Sequence, residues 1–153
     1  MSGDTPAGPS LNEMRAFAYL LLGRREYSLS ELAARLHKKW PDAEGIDLLV
    51  EQLAEENLVS DERFVESFVR SRIQRHQGPL KIRAELRRKG VSGSLVDEAL
   101  GAQAELWPTL AVEWLQRQST GELDLKGKQK YYRRLVNRGF THGQAMDAVN
   151  QSA

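Results

Sequence analysis

The chain has 153 residues, of which 41% are hydrophobic and 28% charged, a balance that predicts a folded soluble domain or a few small helical units and excludes wholesale disorder. It contains no cysteine, which rules out a disulfide framework, cysteine zinc sites, iron–sulfur clusters and thiol catalysis, and suits a reducing cytosol. Net charge is only +1, but the signs are segregated: nine acids and one base from Asp42 to Glu66, eight bases and one acid from Arg70 to Lys89, and six bases with no acid from Lys126 to Arg138.

The first ten residues, rich in Gly, Pro and Ser, read as a frayed tail, with no basic-then-apolar pattern of a secretory signal. The longest strongly apolar run, Ala16 to Leu22, is far too short to span a bilayer. Helical periodicity follows. Met14, Phe17, Ala18, Leu21 and Leu22 form one stripe, Leu29, Leu32, Ala33 and Leu36 a second, and Ile46, Leu49, Val50 and Leu53 a third. Phe64, Val65, Phe68, Val69 and Ile73 form a fourth. The i, i+3, i+4 spacing puts each set on one side of a helix, and no segment shows the alternation of a strand. Ser28-Leu29-Ser30-Glu31 and Thr141-His142-Gly143-Gln144 have the form of capping boxes. Pro79 and Pro108 suit first helical turns, where the missing N–H costs nothing. Gly90 and Gly139 each follow a basic helix end and can close it in the left-handed conformation.

The chain also repeats. A shift of 50 residues lays Leu36-His37-Lys38-Lys39 on Leu86-Arg87-Arg88-Lys89, Asp42 on Ser92 and Ile46 on Val96. A shift of 49 lays Leu86 on Leu135, Gly90 on Gly139, Ser92 on Thr141 and Ala99-Leu100 on Ala148-Val149. The expected fold is all-α: a tail at 1–10, then three tandem three-helix repeats at 11–58, 59–104 and 105–152. Stacked, they would form an elongated, curved helical-repeat body, since units of this size bury little core alone.

The stretch Leu58-Val59-Ser60-Asp61-Glu62-Arg63-Phe64, followed by Val69-Arg70-Ser71-Arg72 and by Gly78-Pro79-Leu80-Lys81-Ile82-Arg83-Ala84-Glu85-Leu86-Arg87-Arg88-Lys89-Gly90-Val91, resembles the central repeat of the bacterial RecX family. Arg24-Arg25-Glu26-Tyr27-Ser28-Leu29-Ser30-Glu31-Leu32 resembles its first repeat, and Lys130 to Phe140 its last. Trp40-Pro41 stands where the later repeats have glycine and an apolar residue, so the second helix should end there without a glycine cap. The resemblance implies a non-enzymatic, cytoplasmic negative regulator of RecA. By that implication it binds the RecA filament on single-stranded DNA in the helical groove and suppresses ATPase, strand-exchange and co-protease activities, with weak direct DNA binding. A monomer without cofactor is expected; a general basic DNA-binding helical module is the alternative.

Candidate contact residues are the basic faces: Arg70, Arg72, Arg75, Lys81, Arg83, Arg87, Arg88 and Lys89 in the first block, Lys126, Lys128, Lys130, Arg133, Arg134 and Arg138 in the second. Arg83, Arg87 and Arg88 share a side of their helix, where guanidinium forks suit carboxylates or phosphates, or form a solvated face. Tyr131 and Tyr132 invite base stacking, but core packing of one of them is the commoner use. Asp61 and Glu62 read as helix-dipole partners rather than an acid/base pair. Trp107 and Trp114 read as core, and His76 as exposed polar cover. His37, His76 and His142 have no metal-helix spacing, Gly78-Pro79 is a turn and not a phosphate loop, and no nucleophile–base motif is visible; no metal and no catalytic residue is expected.

Overall fold

The computed structural model describes residues 8–151; residues 1–7 of the expected tail and residue 152 of the third repeat lie outside them. The described residues form nine helices: α1 (Leu11–Leu22), α2 (Leu29–Lys39), α3 (Ile46–Glu55), α4 (Asp61–Gln74), α5 (Pro79–Arg88), α6 (Gly93–Gly101), α7 (Leu106–Gln118), α8 (Leu125–Asn137) and α9 (His142–Gln151). No strand occurs among them. The protein is all-α, in a pattern consistent with three successive three-helix repeats.

Local chemistry sets most boundaries. Ser10 accepts the Glu13 N–H and starts α1. Both capping boxes form: Ser28 Oγ accepts the Glu31 N–H while Glu31 accepts the Ser28 N–H, and Thr141 and Gln144 exchange the same pair of bonds. Ser92 caps α6 and Asp124 caps α8. The repeat is imperfect at one point: Asp42, the counterpart of Ser92, caps nothing, and α3 starts later, behind Gly45. As the sequence predicts, α2 ends at Trp40 without a left-handed residue, whereas Gly90 (φ 76) and Gly139 (φ 101) close α5 and α8.

The chain groups into two compact units, residues 8–64 with 89–91 and residues 65–88 with 92–151. In the first, α1 packs on α2 and α3 around Met14, Ala18, Leu21, Tyr27, Leu32, Leu36, Ile46, Leu49, Leu53 and Val59. Each fully buried aliphatic side chain here contributes roughly 1.5–3 kcal/mol over its exposed state. Segment 89–91 returns to this unit. The buried Ser28 hydroxyl donates to the Lys89 carbonyl at 2.8 Å while accepting from the Glu31 N–H, and so is engaged both as donor and as acceptor. Lys89 Nζ lies 3.0 Å from a Glu31 carboxylate oxygen, and Asp61 Oδ1 accepts the Leu29 N–H at 2.8 Å. A Cβ on Gly90 would sit 2.5 Å from Ser30 Oγ.

In the second unit α5 packs on α6, and α7 and α8 each pack on α9. Trp107 and Trp114 are buried as expected, Trp107 donating to the Leu100 carbonyl at 3.1 Å. Here the glycine that closes α8 meets the start of α5. Gly78 N–H donates to the Arg138 carbonyl and Leu80 N–H to the Gly139 carbonyl, both at 2.8 Å. A Cβ on Gly78 would stand 2.3 Å from backbone atoms of Gly139 and Phe140, and one on Gly139 would stand 2.4 Å from Lys81 Cβ. Gly78 therefore serves a close approach of two backbones rather than a special turn.

Candidate partner-binding surface

The acidic segment is largely solvent-facing. Asp61 begins α4, as expected of a dipole partner, but its carboxylate also caps the N-terminus of α2. Glu56 pairs with Arg15 at 3.4 Å and Asp47 with His37 at 3.3 Å. Asp42, Glu44, Glu51, Glu55, Glu62 and Glu66 are exposed and have no ion pair among the described residues.

The first basic block divides. Arg72 lies 3.2 Å from Glu85, over the Phe68 ring, in a pair whose side chains are both mostly covered. Arg83 pairs with Asp97 of α6 at 2.9 Å, and its Nε is buried without a hydrogen-bond partner. Lys89 is tied to Glu31. Burial works to raise the Glu31 carboxyl, but hydrogen bonds from Arg25, Lys89 and the Ser28 N–H outweigh it and leave the group below the usual carboxylate range. Arg70, Arg75, Lys81, Arg87 and Arg88 are exposed, with no carboxylate partner among the described residues. Of the three arginines expected on one side of α5, the structure leaves Arg87 and Arg88 facing water and ties Arg83 down.

The second block sits on α8 and ends at the α5 joint. Arg138 donates through Nε to the His76 carbonyl at 3.0 Å and through Nη2 to the Arg75 carbonyl, with its guanidinium 5.3 Å from the Trp114 ring centre. Burial pushes this guanidinium below its ordinary value. Arg138 is thus largely a structural residue. It also brings the two basic blocks together, their carriers Arg75, Lys81 and Arg138 meeting at one joint. Lys126, Lys130, Arg133 and Arg134 are exposed and Lys128 is half-buried. Tyr131 is buried against Trp114, ring centres 6.4 Å apart, and Tyr132 is bonded to His142 Nδ1 at 2.8 Å. Tyr131 is core, and Tyr132 is already occupied by a neighbour.

His76 corrects the expectation of exposed polar cover. It is buried, at φ 54, where it closes α4: its N–H donates to the Ile73 carbonyl and the Gln77 N–H to the Arg72 carbonyl, a Schellman-type wrap. Its ring lies 3.4 Å from Glu113, and its own carbonyl receives Arg138. Among the described residues no three acidic or histidine side chains are grouped to hold a metal ion. No helix is long and apolar enough to cross a membrane.

Comparison with known proteins settles the family. Residues 60–100 match the family model described as RecX, second three-helix domain. Regulatory protein RecX of Chromohalobacter salexigens is 44% identical over 134 residues, covering 86% of this chain and 88% of that protein. The chain belongs to the RecX family. Regulatory protein RecX of Halorhodospira halophila is 36% identical over 145 residues, covering 94% of this chain and 90% of that protein. The RecX crystal structure from Lactobacillus salivarius has the same fold, with a TM-score of 0.79 at 19% identity over 92% of this chain and 94% of that one. A second RecX crystal structure aligns at a TM-score of 0.71 and 23% identity, covering 92% and 73%. RecX proteins are regulators and not enzymes. The residues missed by sequence reasoning, Gly78, His76 and Asp61 as a cap on α2, sit at joints between segments of this RecX fold far apart in the chain.

Proposed function

We propose that this chain is a negative regulator of the RecA recombinase, a cytosolic monomer that binds the RecA–DNA filament in its helical groove. There it restrains ATP hydrolysis, strand exchange and co-protease activity. Membership of the RecX regulatory family is the observation that carries the reading. The surface supports it: exposed, unpaired acids at Asp42, Glu44, Glu51, Glu55, Glu62 and Glu66 and free cations at Arg70, Arg75, Lys81, Arg87 and Arg88 offer opposite potentials that set register on a polymer with complementary patches. The repeats at 11–58, 59–104 and 105–152 would touch successive protomers, so that individually weak contacts act together through effective concentration.

The test is inhibition of DNA-dependent ATP hydrolysis by RecA. Arg87→Glu with Arg88→Glu should weaken inhibition on the order of tenfold or more, as for two contacts of about 1 kcal/mol each. Arg83 is left intact because its removal would orphan Asp97. Unchanged inhibition by the folded variant would remove this face from the mechanism. The unpaired cations of α8 favour a second reading, a general DNA-binding module. A protein that prefers bare single-stranded DNA to RecA-coated DNA at moderate salt would be that module.

A further inference from the structure

The two basic blocks differ in how much of their charge is already spent. In the first, Arg72, Arg83 and Lys89 are each held by a carboxylate at 3.2, 2.9 and 3.0 Å. Helix α8 carries no acidic residue, and none of its cations has a carboxylate partner among the described residues. Asp124, the nearest acid in sequence, is engaged at the Gly127 N–H at 2.7 Å, at the N-terminal end of the helix. Tyr131 and Leu135 face the core, and at 3.6 residues per turn Lys126, Lys130, Arg133, Arg134 and Asn137 fall within a single arc of about 100° on the opposite side. Two of these cations are braced from below, Lys130 and Arg134 lying 5.3 and 5.6 Å from the centre of the buried Tyr131 ring.

We infer that the outer face of α8 is a track for the phosphate backbone of single-stranded DNA. The inference deepens the proposed function: it names the strand-contacting surface of a protein that works on a recombinase–DNA filament. From Lys126 to Arg134 the ridge rises about 12 Å along one helix, long enough to meet successive phosphates of one strand. It is one helix wide, with cations and no carboxylate of its own, so it follows a single polyanionic strand better than it brackets two.

The test measures bare DNA binding, which does not involve RecA. A labelled, unstructured single-stranded oligonucleotide is titrated with the full chain over a range of salt, beside a duplex of equal length. The single strand is expected to bind more tightly than the duplex. Lys130→Gln, Arg133→Gln and Arg134→Gln together should lower affinity on the order of tenfold to a hundredfold at low salt. They should also reduce the slope of log affinity against log salt by about two, from about 0.7 per lost phosphate contact. Arg24→Gln with Lys38→Gln, at exposed cations outside both basic blocks, should change neither. An unchanged slope in the α8 variant, an equal loss in both variants, tighter duplex binding, or no binding by the parent chain would each overturn the assignment. ATP hydrolysis by RecA, followed in parallel, separates the two ideas: a parent chain that binds the strand through α8 but leaves RecA uninhibited upholds the ridge and sinks the regulatory reading.

Discussion

Two joints in this protein have the same plan and different chemistry. In each, the glycine that closes the second helix of one repeat lies against the start of the second helix of the repeat before it: Gly90 against α2, Gly139 against α5. At the first joint the free N–H groups of the receiving helix are met by side chains. Ser28 and Glu31 box each other, Asp61 takes Leu29, and Lys89 reaches Glu31. At the second they are met by backbone. The carbonyls of Arg138 and Gly139, at the end of α8, accept from Gly78 and Leu80, so the two helix dipoles meet head to tail. Side chains can be exchanged one at a time, whereas two backbones at contact distance leave no room for any side chain. The first joint should therefore be adjustable and the second all-or-none.

The largest expected effect tests that difference. Gly78→Ala places a methyl 2.3 Å from backbone atoms that have nowhere to move, and should cost roughly 3–5 kcal/mol through overpacking and loss of two hydrogen bonds. Chemical denaturation reads the loss. Hydrogen exchange should show faster exchange at the Gly78 and Leu80 amides, and native-like stability would mean that the approach is looser than described. Gly90→Ala should cost less, about 1–3 kcal/mol, because the obstacle is only the Ser30 side chain. Ser30→Gly in the same chain should recover part of that, leaving about 1 kcal/mol for the left-handed alanine. A double-mutant cycle without coupling between 30 and 90 would dismiss the contact.

What could be read in advance from the sequence follows the same division between near and far. The helices, both capping boxes, the glycine helix ends and the uncapped end at Trp40 depend on residues within about a turn of each other, and their periodicity and residue types show directly. His76 departs from the expectation of exposed cover because a histidine in the left-handed position carries no local mark. The guanidinium that its carbonyl accepts from, Arg138, lies 62 residues away. The cations posed the same problem. Arg87 and Arg83 look alike in sequence, and only the placement of Asp97 on α6 separates a tied arginine from a free one. Nor could the sequence show that Arg75, Lys81 and Arg138, in blocks read as separate, meet at one joint.

Smaller effects sharpen the first joint. Asp61→Ala removes the acceptor for the Leu29 N–H and should cost about 1 kcal/mol, the ordinary worth of a helix cap, with no change in exchange at Gly78 or Leu80. The smallest effect is the one most easily told from the second joint, because it depends on acid. Glu31→Gln keeps the capping box and loses the charge facing Arg25 and Lys89, for about half a kcal/mol near neutral pH. The folded-state Glu31 carboxyl lies below its ordinary value, so its contribution is complete above the unfolded value of about 4.3 and fades as pH falls through the lowered folded value. The stability gap between the parent chain and Glu31→Gln should therefore be constant at neutral pH and close on the acid side. At the second joint the helix start is met by carbonyls rather than by a carboxylate, so the cost of Gly78→Ala should vary less across the same range. A gap that widens in acid would reverse the sign, and would mean that burial, rather than Arg25 and Lys89, governs Glu31.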